Sequence, residues 1–207
     1  MPFPLNLWLI HPDAEMCAAF SRRFEGLPSV RVVRTSFPEV EPHDCFVTAG
    51  NSFGIMTAGI DAAVVQFFGD AIMGRVQHQI LEDYLGEQPV GTAFILSTGH
   101  GHIPFLCHAP TMRVPGSIAG TDAVYRATWA ALLAVYRHNV SSPEKIATVT
   151  MPAMGTGFGG MAFDEAARQM AAACRHYLDP PHRLNWDTVA ERQKAICYDG
   201  SRQVARG

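Results

Sequence analysis

Charged residues are scarce in this sequence, where they make up 17% of 207 residues and leave a formal net charge of −3. No segment gathers lysine and arginine into the kind of cluster that binds the phosphates of duplex nucleic acid. The sequence therefore excludes a duplex-binding surface. Its 48% apolar content also excludes a disordered chain. We expect one folded domain over residues 1–207, with a frayed polar tail at 200–207.

The sequence also lacks paired cysteines and long apolar runs. Its five cysteines form no C-x-x-C pair, which favours buried, reduced thiols over disulfides or a zinc site. His100 and His102 form the only close histidine pair and have no third ligand at matching spacing, so no metal site is predicted. No window approaches the ~18 apolar residues of a membrane span. No basic segment and apolar run mark a secretory signal at the N-terminus. The expectation is a cytoplasmic protein without a membrane partner.

Apolar periodicity predicts strands that alternate with helices. The predicted strands are Leu5–Ile10, Val30–Val33, Cys45–Thr48, Thr92–Leu96, Ile103–Cys107, Ile146–Met151 and Ala195–Tyr198. The predicted helices cover residues 13–25, 60–68, 72–85, 123–136 and 163–177, with a short helical stretch after Pro181. Ser97–His102 is predicted as a polar turn. This alternation predicts an α/β fold, a three-layer α/β/α sandwich around a mixed, mainly parallel sheet.

Two glycine-rich turns each join a predicted strand to a helix. The first lies within residues 44–61, and the second is Pro152-Ala-Met-Gly-Thr-Gly-Phe-Gly-Gly160. Glycine lets the backbone approach a bound group, and backbone N–H groups at a helix start form an anion site. Neither turn matches the P-loop or the dinucleotide-binding fingerprint. Because ligands of α/β sheets bind beyond the carboxyl ends of the strands, we expect both turns to face one phosphate-bearing ligand.

These segments resemble the macro domain family. Its Asp-x-Ile-Val-Asn-Ala-Ala-Asn strand and loop is similar to Asp44-Cys-Phe-Val-Thr-Ala-Gly-Asn51, and its Gly-Gly-Gly-Val-Asp helix start to Thr57-Ala-Gly-Ile-Asp61. Its second loop, Pro-x-(Ile/Leu/Val)-Ser-(Thr/Ala)-Gly-x-x-Gly, is similar to residues 152–160, and its closing strand to Ile196-Cys-Tyr-Asp199. The resemblance runs from about residue 30 to 199. The strand and helix at residues 5–25 lie outside it and are expected to be an N-terminal addition.

The resemblance implies binding of ADP-ribose, free or attached to a macromolecule, without a cofactor. Asp44 would accept a hydrogen bond from the adenine amino group, and Tyr198 would stack on the adenine. Asn51 would hold the distal ribose, and Asp61 would activate water as in ADP-ribosyl hydrolases of the MacroD type. The loop of residues 155–159 would wrap the diphosphate, with Phe158 against the distal ribose. The further implied ligand contacts are Cys45, Gly59, Ile60, Gly155, Thr156, Gly157 and Gly159.

Each of these residues also has a purely structural interpretation. Asp44 can close a turn, Asn51 can form a left-handed turn, and Asp61 can favour the dipole of the helix that it starts. Phe158 can belong to the core. Two positions depart from the family loop, because Thr48 replaces its first asparagine and Ala58 replaces one glycine. Both departures bear on hydrolysis more than on binding.

Several functions are compatible with this resemblance. The leading hypothesis is hydrolysis of an ADP-ribosyl linkage on protein or nucleic acid, because cleavage of a riboside needs a carboxylate near the anomeric carbon. The alternatives are a non-catalytic ADP-ribose reader, a phosphatase of ADP-ribose 1″-phosphate, and an assembly protein that kept only the fold. His108 ends a strand near this site. Arg113 is predicted either to meet a phosphate or carboxylate or to be a surface residue.

Overall fold

The computed structural model describes residues 4–196 and contains one six-stranded sheet. The strands are β1 (Asn6–Ile10), β2 (Val30–Val33), β3 (Cys45–Thr48), β4 (Phe94–His100), β5 (Ile103–His108) and β6 (Thr148–Pro152). The helices are α1 (Ala14–Arg23), α2 (Gly59–Phe68), α3 (Ala71–Tyr84), α4 (Ala123–Ser141), α5 (Phe163–Leu178) and α6 (Trp186–Ile196). A single 3-10 turn, Phe37–Glu39, follows β2.

The sheet is mixed and mainly parallel, as predicted. Its order is β2-β1-β6-β3-β5-β4, and only β4 runs antiparallel to its neighbour. The carboxyl ends of the five parallel strands therefore meet at one edge of the sheet. Ligands of such sheets bind beyond this edge, particularly where neighbouring connections leave in opposite directions.

Helices cover both faces of the sheet and complete the three predicted layers. One core cluster joins α1, α4 and α5 to one face through residues such as Phe20, Leu132 and Met170. The other joins α2, α3 and the 3-10 turn to the opposite face through Phe37, Val64 and related side chains. Strands covered on both faces must be apolar along their whole length, which explains the buried run of β3.

The N-terminal strand is an interior strand of the sheet, while the status of segment 5–25 as an addition to the family pattern stays a prediction. β1 pairs in parallel with both β2 and β6, and Leu9 lies in register with Val32 on one side and Met151 on the other. Helix α1 packs against α5 and buries Met16 and Phe20. Segment 5–25 thus supplies part of the central sheet and of one helical layer.

Two predictions are corrected. Ala195 and Ile196 end helix α6 and do not begin a strand, while the rest of the predicted closing strand lies outside the described residues. The predicted turn at 97–102 is mostly strand, because β4 continues through a register shift to His100 and pairs there with Ile103. Within residues 4–196, no helix is both long and apolar enough to cross a bilayer.

The interior position of β1 predicts a large cost for shortening Leu9, whose side chain is 0% exposed. We expect Leu9→Ala to lower the free energy of unfolding by about 2–5 kcal/mol, because it leaves a cavity in the core. Urea unfolding followed by circular dichroism measures this change. Leu81→Ala is the matched control, since Leu81 is 61% exposed and its truncation should cost within about 0.5 kcal/mol. Equal costs for the two variants would contradict an interior β1.

Candidate functional site

One cavity of about 520 Å³ opens at the carboxyl edge of the sheet. Its walls are the segments that follow β1, β2, β3, β5 and β6, together with the start of α2. Both glycine-rich turns line it, as predicted. Nine of the sequence-predicted site residues share this cavity, namely Asn51, Gly59, Ile60, Asp61, Gly155, Thr156, Gly157, Phe158 and Gly159.

The loop after β6 is held by its carbonyl groups. Gly155 O accepts from Met161 N at 3.1 Å, and Gly159 O accepts from Ile118 N at 2.8 Å. Gly155 has φ +74°, and a Cβ there would lie 2.7 Å from Ile118 Cδ1, so only glycine fits this packed, left-handed position. Among the described residues, no N–H group from 155 to 159 donates a hydrogen bond. The loop thus presents free donors beside the cavity.

The start of α2 faces this loop. Its N-cap residue, Ala58, supplies no side-chain cap, which leaves the first N–H groups of the helix without a capping partner. The ring of Phe158 comes within 4.0 Å of the Cβ position of Gly59, so the two glycine-rich turns meet across the cavity. Phe158 itself is 62% exposed and forms part of the rim, which argues against the core interpretation. Two sets of backbone donors and a helix dipole make this region suited to an anion.

Asp61 is the only carboxylate among the residues that line the cavity, and none of them is lysine or arginine. It lies in the first turn of α2 but is only 5% exposed. Burial raises the pKa of its carboxyl group to about 6, and a hydrogen bond that Thr48 Oγ1 donates to Oδ1 opposes that rise. Thr48 is one of the two departures from the family loop, and it is the hydrogen-bond partner of the predicted catalytic aspartate.

His108 lies behind the cavity, at the end of β5, and is completely buried. Its Nδ1 is 2.6 Å from Gln88 Oε1, while its Nε2 has no partner among the described residues. A Cβ on Gly50 would overlap Nε2 and would stand 3.2 Å from Asp61 Oδ2. Both atoms thus approach the same side of Gly50. Burial lowers the pKa of the His108 imidazole to about 4.

Asn51 lines the cavity, but its amide group shapes its own loop. Oδ1 accepts from Phe53 N at 3.1 Å and from Ile55 N at 3.3 Å, and Nδ2 donates to Ile55 O at 2.8 Å. These bonds fit the structural interpretation, in which an Asn side chain mimics a backbone turn. A contact from Asn51 to a ribose remains a prediction.

Two predicted ligand contacts do not fit the structure. Asp44 lies before β3, at the opposite edge of the sheet, where Oδ2 accepts hydrogen bonds from Ala147 N at 2.8 Å and Thr148 N at 2.7 Å. Cys45 is completely buried within β3. Neither lines the cavity, because the amino end of a parallel strand is a full strand length from the ligand edge. The predicted adenine partner Tyr198 lies outside the described residues.

The far end of the cavity instead comes from segments that the sequence did not single out. Residues 10–12 after β1 and 35–38 after β2 line it, on the side of the sheet where β2 and β1 lie. His11 is half-buried there, with its ring 5.3 Å from that of Phe163. Burial lowers the pKa of His11. These lining residues were not predicted from the sequence, because β1 was expected to lie outside the family pattern. The sequence does show an apolar strand that is followed by His-Pro.

Arg113 does meet a carboxylate, and that carboxylate belongs to the protein. Its Nε and Nη2 lie 2.7 Å and 2.9 Å from the two carboxyl oxygens of Glu87, and the guanidinium sits 5.2 Å from the Phe53 ring. Both side chains are exposed. The predicted alternative of a phosphate partner is not favoured by this bidentate pair.

The backbone contacts of Asp44 predict a structural role. We expect Asp44→Ala to lower the free energy of unfolding by about 1–3 kcal/mol, because two N–H groups lose a charged acceptor. Chemical unfolding of wild type and variant measures this. Asp70→Ala is the control, since the Asp70 side chain makes no capping hydrogen bond. A cost no larger than that of the control would contradict this role.

The two pKa shifts predict opposite effects of pH on stability. In the unfolded chain, between about pH 4 and 6, Asp61 is ionised and His108 is protonated. In the folded protein Asp61 keeps its proton and His108 is neutral. The number of bound protons is then equal in both states, so the pair leaves the free energy of unfolding independent of pH in this window.

Removing either group should expose the contribution of the other. In Asp61→Asn, only the unfolded state binds the His108 proton, so stability relative to wild type should fall by roughly 3 kcal/mol as pH decreases from about 6.5 to 4. In His108→Asn, only the folded state binds the Asp61 proton, so stability relative to wild type should instead fall as pH rises from about 4 to 6. Urea unfolding across this range tests both. If the relative stability of both variants changed with pH in the same direction, the two pKa shifts assigned to Asp61 and His108 would be refuted.

Comparison with known proteins places this geometry in a family. The sequence profile of the macro domain matches residues 47–170. An uncharacterized protein of Aquifex aeolicus is 31% identical over 148 residues, which cover 72% of this chain and 82% of that protein. An uncharacterized protein of Aeropyrum pernix is 34% identical over 130 residues, which cover 63% of this chain and 62% of that protein.

Solved macrodomains share the fold at low identity. The Oceanobacillus iheyensis macrodomain with ADP superimposes with a TM-score of 0.56 at 20% identity, over 66% of this chain and 70% of that chain. The macrodomain of Mycobacterium tuberculosis DarG gives a TM-score of 0.55 at 18% identity, over 69% of this chain and 88% of that chain. The profile match spans more than half of the sequence and includes both glycine-rich turns, so the chain belongs to the macro domain family.

Proposed function

We propose that the cavity binds ADP-ribose, with the diphosphate between the start of α2 and the loop of residues 155–159. Two sets of unpaired N–H groups border this region, and no lysine or arginine lines it. Backbone donors and a helix dipole are sufficient to hold an anion. The volume of about 520 Å³ lies in the usual range for ligands of this size. The Oceanobacillus iheyensis macrodomain has been solved with ADP and, as a variant, with ADPR.

The two ends of the cavity support one orientation of this ligand. The base fits the end formed by residues 10–12 and 35–38, where the surfaces are mostly apolar and the pKa of His11 is lowered by burial. The distal ribose then lies at the other end, beside Asn51, Asp61 and Phe158. This orientation puts the base against β1 and β2 and requires neither Asp44 nor Tyr198.

We further propose hydrolysis of an ADP-ribosyl linkage at the Asp61 end. A carboxylate at the anomeric carbon can orient an attacking water, take its proton and stabilise positive charge that develops on the ribose. The pKa of about 6 leaves Asp61 mostly ionised at neutral pH yet basic enough to accept a proton. The observation that carries the proposal is this buried carboxyl group, which is the only one in a cavity bordered by free backbone donors.

A non-catalytic ADP-ribose reader is the second candidate. The side chain of Asn51 favours this candidate, because its amide group already makes hydrogen bonds to Phe53 and Ile55. A reader needs the shape and donors of the cavity, but it does not need an ionised Asp61. The two candidates therefore differ in the consequence of neutralising this one residue.

Calorimetry and a hydrolysis assay separate these functions. We expect wild type to bind ADP-ribose with a Kd near micromolar, or about −8 kcal/mol. On ADP-ribosylated protein or DNA, Asp61→Asn should retain binding within roughly threefold but lose about 100- to 10,000-fold in rate, because the base is missing.

Asp70→Asn is the matched control, since Asp70 is exposed and lies outside the cavity. It should match wild type in both assays. Wild type that binds ADP-ribose but leaves both substrates intact would refute hydrolysis and favour the reader. Absence of any binding would refute the proposal as a whole.

A further inference from the structure

Four buried side-chain polar atoms have no hydrogen-bond partner among the described residues: His43 Nε2, His108 Nε2, Thr111 Oγ1 and Thr150 Oγ1. Of these, His108 Nε2 lies beside the Asp61 end of the cavity. His108 is completely buried and does not line the cavity, so it does not touch a ligand. A buried acceptor without a partner costs about 1–3 kcal/mol, which makes such an atom rare in a folded protein. Its surroundings therefore indicate what it binds.

Gln88 determines which nitrogen of His108 carries the proton. Gln88 Nε2 donates to the carbonyl oxygen of His108 at 3.4 Å, which turns Gln88 Oε1 toward His108 Nδ1 at 2.6 Å. The oxygen can only accept, so Nδ1 carries the hydrogen and Nε2 presents a lone pair. Gln88 is itself completely buried, and its backbone N–H donates to Ser52 O at 2.8 Å. The tautomer is thus fixed by a rigid neighbour.

Gly50 separates this lone pair from Asp61. The Cβ position of Gly50 would overlap His108 Nε2 and lies 3.2 Å from Asp61 Oδ2, so any side chain here would occupy the space between them. Asp61 Oδ1 is already held by the Thr48 hydroxyl, which leaves Oδ2 as the free oxygen. Thr48 and His108 are register partners on β3 and β5, so both lie at the same edge of the sheet, and Thr48 bonds to the carboxyl group there.

We propose that His108 is a positioning residue for Asp61: across Gly50, one water molecule accepts a hydrogen bond from the protonated Oδ2 of Asp61 and donates one to Nε2 of His108. The functional consequence rests on the proposed hydrolysis. A hydrogen bond to the neutral form of a carboxyl group stabilises that form. His108 therefore raises the pH at which Asp61 ionises, and with it the pH at which the site gains its base.

Other ionisable groups near the pair do not account for this effect. Helix α2 and the loop of residues 152–160 bring no second charged side chain to Asp61. On the His108 side, Phe94 of β4 packs 5.5 Å from the imidazole ring. Glu87 and Arg113 pair with each other at the surface, and Arg126 donates to Val90 O. Burial alone lowers the pKa of His108, and burial raises that of Asp61 against the Thr48 hydrogen bond.

The test is an NMR titration of the Asp61 carboxyl carbon in wild type and His108→Asn. Asparagine places an N–H donor near the position of Nδ1 and so keeps a partner for Gln88, but it removes Nε2. We expect the Asp61 midpoint to fall by about one pH unit, which is the effect of losing one hydrogen bond of ~1.4 kcal/mol. In the same spectra, Nε2 of wild-type His108 should be unprotonated at neutral pH.

Phe94→Leu is the control, because it disturbs the packing of the same imidazole but keeps both of its nitrogens. It should leave the Asp61 midpoint within about 0.3 pH units, even if it lowers stability.

An Asp61 midpoint unchanged in His108→Asn, or a protonated Nε2 in wild type, would overturn the proposal. These measurements do not depend on hydrolysis, so their outcome is independent of the proposed activity. If hydrolysis occurs, the acid limb of its pH profile should shift down with the midpoint in His108→Asn and stay in place in Phe94→Leu.

Discussion

Asp61 brings its carboxyl group into the junction between the sheet and helix α2, where only 5% of the residue is exposed. Burial of a charge is costly unless partners compensate, and otherwise the group holds its proton more strongly. Here the compensation is partial, through one hydroxyl from Thr48. The surrounding residues follow from this constraint, since Gly50 must lack a side chain and His108 must stay neutral beside it. The chemistry at this end of the cavity depends on how that proton is held.

The rest of the cavity follows from the parallel arrangement of the strands. Because five strands end at one edge, the loops after β1, β3 and β6 converge without long connections. Their backbone groups supply the binding capacity, and the lining contains no cationic side chain. If this cavity binds phosphate as proposed, it does so by geometry more than by net charge, which agrees with the weak overall charge of the chain.

Sequence patterns identified the local features well. The β3 strand, both glycine-rich turns and the position of Asp61 at a helix start all follow from short-range signals, namely apolar runs and glycine spacing. The same signals missed strand order, which depends on contacts between distant segments. Leu5–Ile10 was recognisable as a strand, but its place between β2 and β6 was not. The contribution of residues 10–12 and 35–38 to the cavity was missed for the same reason.

The errors at Asp44 and in the last helix have related causes. Asp44 and Asn51 bracket one strand, and sequence proximity does not show that they lie at opposite edges of the sheet. Residues 186–196 form a helix with no buried side chain. A helical stretch was predicted here, but apolar periodicity did not show that it continues through Ala195 and Ile196. His108 was noticed, but its link to Asp61 passes through Gly50, and the missing side chain that permits it is visible only in three dimensions.

A crystal structure of the protein with ADP-ribose tests the central claim most directly. We expect the base beside residues 10–12, the diphosphate against the N–H groups of residues 155–159, and the anomeric carbon of the distal ribose next to Asp61 Oδ2. A ligand bound in the reverse direction, with its base at Asp61, or density for ADP-ribose elsewhere on the protein, would contradict it.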